Sequence, residues 1–300
     1  MSILSHPRVA DVAARLLASV TAAKGLGPGQ PRFPECAART EEVAVPTRHG
    51  EVAATLYHPP AGPPTPAVHV NAHGGGFVMG RPADDDPWCR YLATHAGVVV
   101  VNTSYALAPR QRFPVPVEQV YDVVRWACAP ERGWGRVSVG GQSAGGSLAA
   151  GAARLALEHG GPDIALQVLH YPPLNLVARA KDKPSAGRRP VVAPWLSEVF
   201  DTAYIPDPAR RADRLASPVW GDNADHLEGI APALVVTAEL DRLHPEGAAY
   251  AGRLDAVGAL VEHHVVPGVD HGYNLTGDHE EVTRRVYDLM AGHVARATRS

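Results

Sequence analysis

Cysteine is scarce in this sequence, which has only Cys36, Cys89 and Cys128. Their number is odd, they lie far apart, and no Cys-x-x-Cys pair occurs, so we expect neither a disulfide framework nor a zinc site. Isolated thiols are typical of a reducing compartment. We therefore predict a cytoplasmic protein without a metal.

Long apolar runs and strong charge bias are also missing. No segment approaches the ~18 apolar residues that a membrane span needs. The stretch from Ser5 to Thr21 has a helical pattern, but Arg8, Asp11 and Arg15 interrupt it, so we do not expect a signal peptide. The formal net charge is −3 and there is no basic block, which argues against a nucleic-acid partner.

What is present is the composition of a folded protein with many loops. Hydrophobic residues make up 45% of the 300 residues and charged residues 20%, which is enough apolar material for a substantial core. The 29 glycines and 28 prolines exceed the average share without reaching the range of disordered chains. The length allows one large α/β domain with an insertion or two modest domains.

Short apolar runs alternate with longer helical patterns along most of the chain. Several runs, such as Val98–Thr103, are apolar throughout, as is typical of strands covered by helices on both faces. The predicted strands are Glu42–Val45, Val52–Tyr57, Val68–Ala72, Val98–Thr103, Arg136–Gly140, Ala165–His170, Ala233–Ala238 and Val261–Val266. The predicted helices between and after them are Asp86–His95, Val115–Ala127, Gly145–His159, Glu246–Val257 and His279–Ala297. This alternation predicts an α/β fold with a mostly parallel, doubly wound sheet and an antiparallel start.

Two regions do not follow that alternation. Residues 1–40 combine a helix with a connection rich in proline and glycine, Gly25–Pro34, and residues 174–229 contain only one helix-like piece, Trp195–Tyr204. A loop that long without structure is improbable in a compact domain, so we predict a helical cap over the carboxyl edge of the sheet. The catalytic core would then comprise residues 41–173 and 230–300, with the cap formed by 1–40 and 174–229.

The strongest local motif is Gly-x-Ser-x-Gly at Gly141, Ser143 and Gly145. An apolar strand precedes it and an alanine-rich helix follows, which is the arrangement of a nucleophile elbow. The tight turn strains the serine backbone and requires small neighbours. It also directs the amide of Ala144 toward a substrate. We therefore predict Ser143 as a nucleophile, against the alternative of an ordinary glycine-rich turn.

A second motif, His73-Gly74-Gly75-Gly76-Phe77, follows the third predicted strand. Three consecutive glycines leave backbone amides uncovered, and such donors can stabilise an oxyanion. A phosphate-binding loop is the competing function, but no Gly-Lys-Ser/Thr follows. A merely flexible loop is the structural alternative.

These two motifs, with Tyr105-Ala-Leu-Ala-Pro109 between them, resemble those of the hormone-sensitive-lipase-like esterases of the α/β-hydrolase superfamily. The resemblance extends from about residue 40 to the end of the chain. It implies an α/β-hydrolase fold with an eight-stranded, mostly parallel sheet, helices on both faces and a helical cap. It also implies that the amides of Gly75, Gly76 and Ala144 form an oxyanion hole, with Gly74 as a further candidate.

The superfamily order of serine, acid and histidine guides the choice among 15 histidines. The base should follow the last strand, where His271 stands in a His-Gly-Tyr sequence that resembles the histidine loop of the family. His263 and His264 lie within the strand itself and are expected to be structural or exposed. Serine needs such a base to accept its proton.

The acid that orients this histidine should follow the preceding strand. Asp241 lies three residues beyond Ala238 in a stretch that resembles the acid loop of the family. Its expected role is to accept a hydrogen bond from the imidazole and to stabilise the imidazolium. Glu239 and Asp270 remain rival acids, although Asp270 is adjacent to His271 and so badly placed to reach its ring.

The sequence thus predicts a serine carboxylesterase for small, short- to medium-chain esters that needs no cofactor. Phe77, Trp195, Phe200 and Tyr204 are expected to line its substrate pocket. Alternatives with the same machinery are a lactonase and an N-acyl amide hydrolase, and an alternative of another class is a non-catalytic binding protein on this scaffold. A homodimer is possible.

Two local features depart from the family or suggest other chemistry. Gln142 stands where the family often has an acidic residue before the nucleophile. The acidic run Asp84-Asp85-Asp86 is interpreted as the solvated start of a helix, where negative charge suits the helix dipole, rather than as a metal site.

Overall fold

One mixed β-sheet forms the centre of the protein. The computed structural model describes residues 2–24, 33–61, 65–184 and 190–299. Its strands are β1 (Arg39–Thr47), β2 (Gly50–His58), β3 (Val68–Ala72), β4 (Val99–Thr103), β5 (Val137–Gln142), β6 (Ile164–His170), β7 (Ala233–Ala238) and β8 (Leu260–Val266). Their order across the sheet is β1-β2-β4-β3-β5-β6-β7-β8. β1 and β2 pair antiparallel with each other and β2 with β4, whereas β3 to β8 are parallel. The predicted fold class is confirmed.

Helices cover both faces of this sheet. They are α1 (Pro7–Lys24), α2 (Asp86–Ala96), α3 (Val115–Ala127), α4 (Ala144–His159), α5 (Pro194–Tyr204), α6 (His244–Ala256) and α7 (Glu280–Thr298). Neighbouring residues of one strand alternate between two apolar clusters: Val99 and Val101 pack with α3 and α4, while Val100 packs with α2 and α7. Burial on both faces explains why the central strands are apolar at every position.

The first strand differs most from its predicted bounds. β1 begins at Arg39, three residues before the predicted Glu42, and its first four residues pair with β2 although all four are exposed. An exposed edge strand has no apolar alternation to reveal it, so its start is invisible to hydrophobic patterning.

Parallel order brings the chemically important loops together. β3, β5, β7 and β8 all end at the same edge, because strands that run in one direction have their carboxyl ends on one side. The glycine motif follows β3, Ser143 follows β5, Asp241 follows β7, and His271 follows β8.

The two segments that do not follow the strand–helix alternation meet over this edge. α1 packs against α5, and Arg112 of the core joins them by an ion pair with Asp11 at 2.7 Å and a hydrogen bond to the carbonyl of Ala203. The cap boundaries stay a prediction, and most of the predicted connection Gly25–Pro34 lies outside the described residues. In the described part of the chain, no helix is long and apolar enough to cross a membrane.

Candidate active site

Ser143 stands on the sharp turn between β5 and α4. Its backbone has φ 53° and ψ −124°, a strained combination for a residue with a side chain. The amide of Ser143 donates to the carbonyl of His170 at 2.8 Å, which fixes the turn against β6. The turn thus has the geometry expected of a nucleophile elbow.

The elbow is packed too closely for any residue larger than glycine at its two motif positions. A Cβ on Gly145 would lie 1.8 Å from the carbonyl oxygen of Ala72, and one on Gly141 would lie 2.3 Å from the same atom. Both glycines therefore allow α4 and β5 to approach the end of β3, which holds the serine beside the glycine motif.

His271 connects the serine with a buried carboxylate. Its Nε2 lies 2.9 Å from Oγ of Ser143, and its Nδ1 lies 2.7 Å from Oδ2 of Asp241. Because an ionised carboxylate can only accept, Nδ1 carries the ring proton and Nε2 accepts from the serine hydroxyl. The amide of Leu243 donates to Oδ1 of Asp241 at 2.9 Å, which orients the carboxylate. The sequence-predicted serine, histidine and aspartate are brought into one hydrogen-bonded chain.

The two rival acids have other contacts. Oδ1 of Asp270 accepts from the backbone amide of His271 at 2.7 Å, and its Oδ2 accepts from the amide of Val191 in the cap at 3.0 Å. Glu239 accepts from the amide of Gly268 at 2.7 Å. Neither carboxylate bonds to the imidazole, so Asp241 is the acid that the geometry selects.

The glycine motif lies against the elbow. A Cβ on Gly74 would be 3.6 Å from Cβ of Ser143, and Gly75 and Gly76 adopt φ values of 123° and 59°. Within the described residues, the amides of Gly75, Gly76 and Ala144 have no protein acceptor. Unpaired amides beside a reactive serine are available to a ligand.

His73 holds the loop from behind. Its ring stacks on Tyr105 with centroids 4.4 Å apart, its Nδ1 donates to the carbonyl of Gly74 at 2.7 Å, and the hydroxyl of Tyr105 donates to the carbonyl of His73 at 2.7 Å. Burial lowers the pKa of His73 to about 4, so the ring is neutral near pH 7. It is placed to shape the loop and not to act as a base.

A cavity of about 610 Å³ opens between the serine and the cap. Phe77 and Phe200, two of the four predicted pocket residues, line it. Trp195 is instead 52% exposed, and Tyr204 is buried with its ring stacked on Phe77 at a centroid distance of 4.0 Å. Neither Trp195 nor Tyr204 is part of the wall of this cavity, contrary to the expectation that both line the pocket; Tyr204 supports Phe77 from behind.

A buried polar network surrounds the residue before the nucleophile. The amide of Gln142 donates to Oδ1 of Asp85 at 2.5 Å, and Asn71 donates to Oδ2 of Asp85 at 2.9 Å. Oε1 of Gln142 accepts from Asn274 at 2.8 Å and lies 2.5 Å from the hydroxyl of Tyr171. The network therefore links the elbow, β3 and the histidine loop.

Asp85 is the charged member of this network, and it is only 1% exposed. Burial raises its pKa to about 7, partly offset by the hydrogen bonds from Asn71 and Gln142. The expectation that this acidic run is solvated is thus wrong for Asp85, because the turn before α2 directs its side chain into the protein. Sequence reasoning missed Tyr171 and Asn274, which bond to Gln142; their place in the loops after β6 and β8, at the carboxyl edge, was the available signal.

No metal centre is evident in the described ranges, where no group of three or more His, Cys, Asp or Glu side chains is arranged to hold an ion. Cys36 and Cys89 are buried and Cys128 is partly buried, and all three are free thiols.

Comparison with known proteins agrees with the hydrolase-like geometry of the site. A family profile described as the alpha/beta hydrolase fold matches residues 69–275. Carboxylic ester hydrolase LipN of Mycobacterium tuberculosis is 33% identical over 269 residues, which cover 85% of this chain and 70% of that protein. Ethyl acetate hydrolase of Pseudomonas putida is 35% identical over 257 residues, which cover 83% of this chain and 79% of that protein.

Solved structures agree with these relatives. The hyperthermophilic esterase from the archaeon Pyrobaculum calidifontis superposes with a TM-score of 0.79 at 31% identity, covering 99% of this chain and 91% of that one. The fold and the elbow are thus those of an α/β hydrolase. The chain belongs to the hormone-sensitive-lipase-like carboxylesterases of that superfamily.

Proposed function

We propose that this protein is a serine carboxylesterase in which Ser143, His271 and Asp241 form the catalytic triad. The observation that carries the proposal is the imidazole of His271, with Ser143 at one ring nitrogen and a buried aspartate at the other. That arrangement activates a hydroxyl nucleophile. The relatives, which include an ethyl acetate hydrolase and several esterases, support carboxylic esters as substrates.

In the first half-reaction, Oγ of Ser143 forms a bond with the acyl carbon while Nε2 of His271 takes the hydroxyl proton. The carbonyl oxygen becomes an oxyanion. As this tetrahedral intermediate collapses, the bond to the alcohol oxygen breaks and Nε2 returns the proton to that oxygen. The alcohol leaves, and the acyl group stays on Ser143.

In the second half-reaction, water replaces the alcohol. Nε2 of His271 takes a proton from the water as its oxygen attacks the acyl carbon, and the second intermediate collapses by breaking the bond to Oγ. The carboxylic acid leaves and Ser143 regains its proton. No step uses a cofactor. Asp241 keeps the imidazole in the correct tautomer and stabilises its charged form in both halves.

The amides of Gly75, Gly76 and Ala144 are the proposed donors to both oxyanions. Gly75 and Gly76 border the cavity and Ala144 directly follows Ser143, and the three amides have no acceptor within the described residues. Removing one such donor typically costs about 10² to 10³ in kcat.

The cavity suits a compact ester. Apolar side chains such as Leu176, Val192, Leu196 and Phe200 form much of its wall, and its volume of about 610 Å³ admits small molecules. We propose short- to medium-chain acyl esters as the substrate range.

A fluorophosphonate tests the nucleophile directly, because Oγ attacks phosphorus and fluoride leaves. We expect one label per molecule in the wild type and none in Ser143→Ala. The matched control is Ser5→Ala, which removes a hydroxyl from an exposed residue and should label fully. A folded wild type that does not label would contradict the proposal and favour a binding protein.

A substrate panel tests the bond that is cleaved. p-Nitrophenyl acetate and butyrate are compared with lactones and with acetanilides of similar size. We expect the largest kcat/KM for the acyclic esters. A lactone or amide that is preferred by tenfold or more would overturn the substrate class while leaving the triad intact.

The cellular setting remains a proposal from the sequence. We expect the enzyme to act in the cytoplasm, which fractionation of cells that express it would test. A homodimer is possible, and analytical ultracentrifugation of the purified protein would decide between one copy and two.

A further inference from the structure

One carboxylate in the wall of the active-site cavity makes no hydrogen bond to another described residue. Asp201 lies on α5 of the cap and is 7% exposed. It lines the same cavity as Ser143 and His271. Among the described residues its side chain forms no hydrogen bond and no ion pair, although buried carboxylates are normally paired.

The two cations whose charges act on this carboxylate, Lys183 and Arg211, have other hydrogen-bonding partners. Nζ of Lys183 lies 2.8 Å from Oε2 of Glu246, in an ion pair that is itself buried. Arg211 donates to the carbonyl of Ile205 at 3.0 Å and to Oγ1 of Thr202 at 3.1 Å. Burial raises the pKa of Asp201 to about 6, and the charges of Lys183 and Arg211 lower it in part. The side chain is therefore mostly ionised at pH 8.

Other polar groups share this part of the wall. Lys183 lines the cavity and has N–H groups beyond the one directed at Glu246. Ser197 lies one turn before Asp201 on the same face of α5 and also lines the cavity. The wall thus offers a carboxylate acceptor and an ammonium donor in a cavity whose other walls are largely apolar.

We propose that Asp201 and Lys183 form a subsite that binds a hydroxyl group carried by the substrate, so that hydroxylated esters are preferred substrates. A hydroxyl can donate to a carboxylate and accept from an ammonium at the same time, whereas a substrate ammonium would be repelled by Lys183 and a substrate carboxylate by Asp201. This subsite rests on the proposed esterase function, since it orients the same ester before Ser143.

Matched ester pairs test the subsite. Methyl 6-hydroxyhexanoate is compared with methyl heptanoate, and 4-hydroxybutyl butyrate with pentyl butyrate, so that a hydroxyl replaces a methyl in the acyl or in the alcohol part. The released acid is titrated at pH 8. For each pair, the kcat/KM of the hydroxylated ester is divided by that of the plain ester. In at least one pair we expect this ratio to be about tenfold or more higher in wild type than in Asp201→Leu. A change of that size is the effect of losing a hydrogen bond to a charged group.

Glu198→Gln is the matched control variant, because Glu198 is a carboxylate of the same helix that does not line the cavity. It should keep the wild-type ratio for both pairs. If Asp201→Leu does not fold, Asp201→Ala takes its place and should also lower the ratio, because alanine likewise has no acceptor for the hydroxyl. A ratio that stays within twofold of wild type in either Asp201 variant would overturn the subsite.

Two further measurements distinguish a failure of the subsite proposal from a failure of the esterase function. Fluorophosphonate labelling is measured on every protein: an unlabelled wild type would overturn the esterase function, whereas labelled proteins with equal ratios overturn the subsite alone. Thermal melting of Asp201→Asn tests whether the carboxylate is unpaired. We expect a Tm equal to or above that of wild type, and a Tm lower by several degrees would mean that Asp201 has a partner within the protein and would overturn the proposal.

Discussion

Oδ2 of Asp241 lies 2.7 Å from Nδ1 of His271, while Oδ1 of the same carboxylate accepts from the amide of Leu243. One oxygen is fixed by the backbone, so the other is directed at the ring. Replacing Asp241 with Asn would place an amide opposite Nδ1 and favour the wrong tautomer, in which Nε2 cannot accept the serine proton. We expect Asp241→Asn to lose about 10³ to 10⁴ in kcat while it remains folded.

Hydrolysis of p-nitrophenyl butyrate and circular dichroism measure both parts of this prediction. Glu239→Gln is the control, because Glu239 bonds to Gly268 and not to the imidazole. It should stay within a few-fold of wild type. Near-normal turnover in Asp241→Asn would mean that another group orients His271.

Much of this arrangement is predictable from the sequence because its signals are local. The strands flanking Ser143 and Asp241 are buried on both faces, so they are apolar throughout, and the glycine motifs are continuous in sequence. The start of β1 at Arg39 was not predictable, because an exposed edge strand has no apolar pattern. The predicted pocket role of Trp195 failed because aromatic composition does not reveal which side of a helix faces a cavity.

The network around Gln142 could not be found in the same way. It joins residues from five separate segments, and none of them belongs to a motif that fixes its partners: Asn71, Asp85, Gln142, Tyr171 and Asn274. Only the meeting of strand ends at one sheet edge brings them together. The position of Asp201 in the cavity wall could not be predicted either, because in the sequence it is one acidic residue of an amphipathic helix.

Gly145→Ala should break the elbow. Its Cβ would lie 1.8 Å from the carbonyl oxygen of Ala72, and both atoms belong to rigid elements, so α4 or β3 must shift. We expect a loss of about 2 kcal/mol or more in the free energy of unfolding, together with most of the activity. Urea denaturation and esterase assays measure the two effects.

Gly252→Ala provides the opposite case for comparison. Gly252 lies within α6, where an added Cβ would meet nothing within 4 Å. Alanine should therefore stabilise the protein by about 0.5 to 1 kcal/mol without changing activity. Equal effects of the two substitutions would contradict the close approach of α4 to β3.

Asp85 should make the protein less stable as the pH rises. Burial raises its pKa to about 7 in the folded protein, from an ordinary value of 3.8. Between these values the folded state keeps a proton that the unfolded state has lost, so the free energy of unfolding falls as the pH increases. The contribution of Asp85 to unfolding should change by up to about 4 kcal/mol across that window.

Asp85→Asn removes this titration and resembles the protonated side chain. The free energy of unfolding of both proteins is measured by urea denaturation from pH 4 to pH 8. We expect that of the variant to increase relative to that of wild type as the pH rises. Other titrating groups cancel in the difference. A difference that does not change with pH would mean that Asp85 is ionised over the whole range.

Gly76→Ala tests the glycine loop. An added Cβ would lie 2.2 Å from the ring of Phe200, and the φ of 59° is costly for alanine, so the loop or the ring must move away from the serine. We expect kcat to fall by about 10² or more because the oxyanion donors are displaced. The control is Gly133→Ala, which has the similar φ of 63° but meets nothing within 4 Å. It should cost about 1 kcal/mol of stability and no activity. If both variants keep full activity, the amide of Gly76 does not contact the oxyanion, and the hole must be formed by other amides.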